Sequence, residues 1–245
     1  MSGERSSQFI TGMLYVLPLL EGNSTLRITG KAQSLSYVHL TKQVMEDFGI
    51  QAEQQGLTYR ISGGQRYEKQ EFWVEGDWSN AAFPDALNVL GGKVAVTGLR
   101  PDSTQGDKIY REYFQKLGGA APLDLADCPD LAPVLFALAA VKGGHFVGCK
   151  RLRLKESDRI AAMQQELAKC GITLTAGEDT VDISPAGLHP PKEIIDGHND
   201  HRIVMAMSVL LSRLGGSIEG AQAVAKSWPR FFESFKGLGI EVELC

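Results

Sequence analysis

Apolar positions along the chain recur in a pattern that repeats four times. Each copy opens with a small or acidic polar residue, runs through an apolar helical stretch, turns at glycine and passes through a short β-rich strand. A loop with polar or basic residues, a second helical stretch and a closing Leu-Gly or its equivalent follow, so the chain reads as an internal repeat of α/β units. In the first copy Ser6-Ser7-Gln8 leads a helix over residues 9–20, apolar on nearly every side and containing Pro18. Such a helix belongs inside a domain and is too short to cross a bilayer. Residues 26–28 read as a strand. Residues 37–48 read as a second helix, ended by Gly49 where a left-handed residue is favoured, and 50–54 and 57–61 read as alternating strands.

The second copy runs from Ser79-Asn80 through Gly91-Gly92, with a strand over 93–97 and a helix over 107–117. Its remainder, 120–127, is too short for a closing strand pair. The third opens at Asp130 and turns at Gly143-Gly144; it predicts a strand over 145–149, a helix over 156–169 and strands over 172–176 and 181–183. The fourth opens at Asp200, turns at Gly215-Gly216 and predicts a strand over 217–219, a helix over 229–236 and a strand over 240–244. Right-handed crossovers are expected wherever the strands pair in parallel.

The repeat also aligns polar residues. Ser6-Ser7-Gln8, Asp130 and His201-Arg202 fall at equivalent first-helix N-termini. Ser34 and Tyr37, Lys155 and Arg159, and Lys226 fall before or within second helices. Packing around a pseudo-threefold axis would bring these ends to one surface. Lys155 is predicted to begin a helix, because Ile160, Met163 and Leu167 recur just after it, and His201 and Arg202 stand at the start of another. The helix dipole disfavours cations there, so an anion is expected to be brought to them. Arg151 and Arg153 alternate on what reads as a strand leading to Lys155.

Composition narrows the classes. The chain has 245 residues, 43% apolar and 22% charged, enough for one large domain or two modest ones. A net charge of −4 excludes a general affinity for nucleic acid, so any anion site must be a local cation cluster. The four cysteines, Cys128, Cys149, Cys170 and Cys245, are scattered without metal-ligand spacing and read as thiols of a reducing cytoplasm. No secretory signal or membrane span is expected.

Ser6-Ser7-Gln8-Phe9, Val74-Glu75-Gly76-Asp77, Gln105-Gly106-Asp107, Cys128-Pro129-Asp130, Leu154-Lys155-Glu156-Ser157-Asp158-Arg159, Asn199-Asp200-His201-Arg202 and Ala225-Lys226-Ser227-Trp228-Pro229 follow one another in a set order. That order resembles the 5-enolpyruvylshikimate-3-phosphate synthase family along essentially the whole chain. The resemblance implies βαβαββ units around a pseudo-threefold axis, in two domains with a substrate cleft between them. It implies transfer of the enolpyruvyl group of phosphoenolpyruvate to the 5-hydroxyl of shikimate 3-phosphate with release of phosphate, and no metal or organic cofactor. Residues 1–75 would be the last unit of the shikimate-phosphate-binding domain, and 76–245 most of the three units of the other. Roughly the first two fifths of the family sequence would then precede Met1. Self-association, or docking of such a segment, is expected to cover the interrupted first domain.

By the same resemblance Ser6, Ser7, Gln8, Ser34, Tyr37, Asp130 and Lys155 would bind shikimate 3-phosphate. Gln8, Arg159, Arg202 and Lys226 would hold phosphoenolpyruvate, and Asp130, Glu156 and His201 would serve catalysis. Each residue has a plainer reading. Ser6, Ser7 and Asp130 are good N-caps, Glu156 and Arg159 could be a surface i,i+3 pair, His201 could be a structural hydrogen-bond partner and Lys226 a solvated lysine. Two other functions stay open: a non-catalytic phosphate-binding fragment, and enolpyruvyl transfer to a UDP-sugar, against which Asn199-Asp200-His201-Arg202 argues.

Overall fold

The computed structural model describes residues 1–3 and 6–244; Cys245 lies outside the described residues. The chain divides into two compact units. Unit 1 comprises Met1–Glu75 and Arg100–Gly106, unit 2 Gly76–Leu99 and Asp107–Cys245. The return of 100–106 to unit 1 is tied by side chains: Ser103 Oγ donates to Glu75 Oε1 at 3.0 Å, and Thr104 Oγ1 to Gln43 Oε1 at 2.9 Å.

Unit 1 is built from α1 (Ser7–Val16), β1 (Ser24–Arg27), α2 (Leu35–Asp47), β2 (Ala52–Gln55) and β3 (Thr58–Ile61). The sheet is antiparallel in the order β1-β3-β2, and a parallel bridge from Ser2 to Thr29 extends it on the β1 side. Val38, Thr41 and Met45 recur at i, i+3, i+7, which turns one face of α2 inward onto Leu26, Ile28, Ile50, Tyr59 and Ile61.

Unit 2 contains α3 (Trp78–Val89), α4 (Tyr110–Lys116), β4 (Leu123–Asp124), α5 (Ala132–Lys142), β5 (Gly144–Val147), α6 (Arg159–Lys169), β6 (Thr173–Ala176), β7 (Thr180–Ser184), β8 (Ile195–Asp196), α7 (His201–Leu214), β9 (Ile218–Glu219) and α8 (Phe231–Gly237). Its larger sheet runs β4-β5-β7-β6, with β4 parallel to β5 and the rest antiparallel. That is the order of unit 1 again, the Ser2 bridge standing where β4 stands. A second parallel pair, β8 and β9, flanks α7. Helices α3, α5 and α7 pack against one another, and α5 and α7 both end at a glycine with positive φ, Gly143 at 82° and Gly215 at 73°. The expected βαβαββ repeats are the fold of this chain, and the core of unit 2 is a three-helix centre that α5, apolar all round, fills.

Four expectations need correction. Residues 93–97 form no strand, because the Asn88 side chain takes both backbone groups of Val94, accepting its N–H at 2.6 Å and donating to its C=O at 2.9 Å. Residues 240–244 form none either: Ile240 N–H closes on Phe235 C=O at the end of α8. Helix α6 starts at Arg159 rather than at 155 or 156, since Asp158 caps it by accepting from Ile160 and Ala161 N–H at 3.1 and 3.0 Å. Arg151 and Arg153 lie on a 3-10 turn, Lys150–Leu154, not on a strand. At two residues, β8 was too short for any periodicity to reveal.

Candidate active site

Unit 2 gathers the starts of its three central helices. At α3, Asp77 caps by accepting from Ser79 and Asn80 N–H at 2.8 and 3.1 Å; at α7, Asp200 accepts from Arg202 N–H at 2.9 Å. Asp130 stands in the 3-10 turn Pro129–Leu131 that leads into α5. Its carboxylate faces Arg159 Nη1 at 2.8 Å, Arg202 Nη2 at 3.1 Å and Lys155 Nζ at 3.7 Å.

Arg159, the first residue of α6, is the hub. Its side chain is 0% exposed, and each nitrogen meets a carboxylate: Nε donates to Asp200 Oδ2 at 2.9 Å, Nη1 to Asp130 Oδ1, and Nη2 to Glu156 Oε2 at 2.7 Å. A guanidinium out of water persists only with its donors filled in this way. Ser157 Oγ donates to Asp200 Oδ2 at 3.1 Å. Arg202 Nη1 donates to Ser79 Oγ at 2.6 Å and to the Asp130 carbonyl at 3.3 Å.

The structure thus joins Asp130, Lys155, Glu156, Arg159 and Arg202. The Glu156–Arg159 contact is no surface pair, since the arginine is sealed. Lys155 begins no helix; it follows the 3-10 turn with extended backbone. The anion expected at these cations is present in part as the chain's own carboxylates. His201 opens α7 and is buried, its Nδ1 lacking a hydrogen-bond partner among the described residues and lying 3.9 Å from Asp200 Oδ1. Lys226 ends a 3-10 helix, Ala221–Lys226, and donates to both the carbonyl and Oδ1 of Asn199. The other five stand on unit 1: Ser6 caps α1 by accepting Gln8 N–H at 3.3 Å, Ser7 is buried in its first turn with Gln8 exposed beside it, and Ser34 and Tyr37 open α2, Ser34 at φ +55°. The sequence alone did not reveal Ser79 and Asp200 as partners of the arginines, nor Ser157 as a partner of Asp200. The repeat carried the signal for Ser79, which opens the second copy where Ser6-Ser7 opens the first.

A family model described as EPSP synthase (3-phosphoshikimate 1-carboxyvinyltransferase) matches residues 1–122 and 119–235. The chain belongs to this family. The 3-phosphoshikimate 1-carboxyvinyltransferase of Clostridium kluyveri is 37% identical, over 98% of this chain and 62% of its own length; that of Clostridium acetobutylicum is 36% identical, over 99% and 61%. The EPSP synthase of Acinetobacter baumannii has a similar structure, TM-score 0.80 at 24% identity, covering 98% of this chain and 62% of that one. The enolpyruvyl transferase NikO of Streptomyces tendae follows at TM-score 0.69 and 15% identity, over 94% and 58%. At those identities the structural likeness establishes the fold. The chain spans about three fifths of the length of the relatives it matches.

In this EPSP synthase-family chain the electrostatics of the cluster fix its resting state. Burial alone would raise the Asp130 carboxyl pKa, but Arg202, Lys155 and Arg159 together hold it well below the usual carboxylate range. Asp200 is opposed by burial and held low in the same way, mainly by Arg159. Burial lowers the Lys155 ammonium despite Asp130, and burial followed by the Arg202 charge lowers His201, which favours its neutral imidazole. Three cations, Lys155, Arg159 and Arg202, face three carboxylates, Asp130, Glu156 and Asp200.

Proposed function

We propose that this chain carries the phosphoenolpyruvate side of an enolpyruvyl transfer to the 5-hydroxyl of shikimate 3-phosphate, with release of phosphate. The observation that supports it most is the Asp130–Lys155–Arg159–Arg202 cluster, built from the segments that carry the family resemblance. Arg202 and Lys226, with Arg159 behind them, would hold phosphoenolpyruvate, and Gln8 would stand near its phosphate. Ser6, Ser7, Ser34, Tyr37, Asp130 and Lys155 would hold shikimate 3-phosphate, hydroxyls serving its sugar-like ring and Lys155 its phosphate.

Asp130 would orient the 5-hydroxyl and take its proton. In the resting cluster Asp130 is a weak base, because its charge is already stabilised. Phosphates that draw Lys155 and Arg202 away would leave that charge less compensated and make it a stronger one. Glu156, 43% exposed beside the sealed Arg159, would deliver the proton to the methylene carbon and take it back as phosphate leaves, so the enol ether is restored. Neutral His201 would donate a hydrogen bond rather than carry charge. The cations would stabilise the departing phosphate. Three cysteines buried as free thiols, Cys128, Cys149 and Cys170, support a reducing compartment such as the cytoplasm. Among the described residues no helix is long and apolar enough to cross a membrane.

Phosphate release from shikimate 3-phosphate plus phosphoenolpyruvate tests the reading, with the chain alone and with Lys155→Ala. Turnover lost in the variant is the expected result. A second reading is a phosphate-ligand-binding fragment without turnover. Saturable shikimate 3-phosphate binding lost in Lys155→Ala, with no phosphate released, would select it; neither binding nor turnover overturns both.

A further inference from the structure

A second buried charge stands two turns along α6 from Arg159. The Glu166 side chain is 1% exposed. Its Oε2 accepts Asp196 N–H at 2.9 Å and meets Lys169 Nζ at 2.7 Å, while Oε1 lies 2.9 Å from His198 Nε2. A carboxylate withdrawn from water persists only with its lone pairs filled. Two of these three partners belong to the segment that runs from β8 into α7.

That segment is held in a costly shape. Asp196 Oδ1 accepts His198 N–H at 2.7 Å, Gly197 C=O accepts Asp200 N–H at 2.9 Å, and His198 and Asn199 are both left-handed, at φ 49° and 50°. Two successive non-glycine residues in that region persist only where their surroundings over-determine them. Gly197 is pinned as well, since a Cβ there would stand 2.6 Å from Val204 Cγ2 and 2.9 Å from the Glu219 carbonyl. Lys226 grips Asn199 from the 3-10 helix, and Glu166 grips 196–198 from α6.

We propose that Glu166 is a positioning residue for the cluster: by clamping residues 196–198 to α6 it fixes the turn that presents Asp200, and through Asp200 it aligns Arg159 and Arg202. Calling the aligned groups an active site rests on the function proposed above; the clamp itself does not. Arg159 and Glu166 lie seven residues apart on one helix, about 10 Å along its axis. A single rigid rod therefore holds the β8–α7 segment twice, at the Asp200 carboxylate and at Asp196–His198. A purely structural Glu166 would loosen unit 2 evenly when removed, whereas a clamp would loosen the start of α7 selectively.

Hydrogen exchange by NMR on the full chain distinguishes the two, comparing Glu166→Ala and Glu166→Gln with the parent. The reporters are Arg202 N–H and Arg159 Nε–H, which both bond Asp200 and do not touch Glu166, against the Leu135 and Phe136 amides in α5. Glu166→Ala should speed the reporters about tenfold more than the α5 amides. Glu166→Gln, which keeps the volume and an acceptor for Asp196 N–H, should give a smaller selective rise and decides the matter if the alanine variant does not fold. Phosphoenolpyruvate affinity, read by calorimetry, should weaken in the same order. Equal acceleration everywhere, or none at the reporters, overturns the clamp. A parent chain that fails to bind phosphoenolpyruvate overturns the functional reading, while the exchange comparison still decides the clamp.

Discussion

Helices α1 and α5 occupy the same place in the repeat, α5 apolar all round and α1 on nearly every side, yet they meet different fates. In unit 2, α5 is covered by α3 and α7, and Ala132 through Ala140 are all buried. In unit 1, α1 buries Ser7, Ile10 and Leu14 against the sheet and α2, while Phe9, Met13, Tyr15, Val16, Leu19 and Leu20 face outward. An all-apolar helix is written for an interior, which neighbouring helices must supply. In unit 2 the helices α3 and α7 flank α5 and close its core; in unit 1, among the described residues, α2 is the one α-helix that packs beside α1. The two units also differ in charge. The helix starts of unit 2 are locked by mutual ion pairs, whereas α1 begins with hydroxyls and an amide, Ser6, Ser7 and Gln8.

The sharpest way to break this contrast is at the hub. Arg159→Ala would leave Asp130, Asp200 and Glu156 facing one another without the guanidinium between them, and removing one partner of a buried ion set costs about 3–5 kcal/mol. Urea unfolding should show that loss in unit 2 while unit 1 keeps its midpoint. A loss below about 1 kcal/mol would mean that water enters the cluster and that it is no rigid frame.

Next in size are cavities in the two cores. Leu14 in α1 and Leu135 in α5 are both 0% exposed, and either change to alanine falls in a range of about 2–5 kcal/mol. Leu135→Ala should lie near the top, because neighbouring helices fix the walls of its cavity. Leu14→Ala should lie near the bottom, since a helix open on one side can settle into the gap. Equal losses in urea unfolding would mean that α1 is as firmly seated as α5.

How much of this could be read from the sequence follows from length scale. The helices were legible because α1, α5 and α7 carry apolar residues over several turns. The Lys155–Arg159 and Asp196–Arg202 segments were legible as chemistry because cations at helix starts violate the dipole preference. Their partners were not, because the Arg159–Asp130 ion pair spans 29 residues and the Arg202–Ser79 hydrogen bond spans 123, distances that no local pattern encodes. The strand expected over 93–97 failed for a related reason. Its β-rich composition was real, but one side chain, Asn88, satisfied the Val94 backbone locally, and a ladder needs a partner strand that propensity does not supply. The pattern of α6 is amphipathic and does not distinguish a buried carboxylate such as Glu166 from a solvated one.

Acid should sharpen the charge contrast more gently. Asp130 and Asp200 have folded pKa values held below their unfolded ones, so their contribution is complete above about pH 4 and is lost as pH falls through the folded values. His201 is also held low, so the unfolded chain takes up its proton first, and stability begins to fall as pH drops through about 6.5. Urea midpoints of unit 2 should therefore decline in two stages, near pH 6 and again below pH 4. Asp130→Asn should flatten the lower stage and leave the upper one. A limb unchanged in that variant would show that the cations do not hold Asp130 low.

The smallest expected change in stability tests the open face of α1. Phe9 is 61% exposed, so Phe9→Ser removes little buried area and should shift the unfolding of unit 1 by less than about 0.5 kcal/mol. Its effect on association should be larger. The expected outcome is self-association through this face, because contiguous exposed apolar surface of this sort is rarely left bare. Sedimentation of the chain at rising concentration should show association that Phe9→Ser, and more so Phe9→Ser with Val16→Ser, reduces, together with weaker binding of an apolar dye. A parent chain that stays monomeric and binds no dye would mean that α1 is covered in solution, and the contrast with α5 would then lie in what covers each helix rather than in whether it is covered.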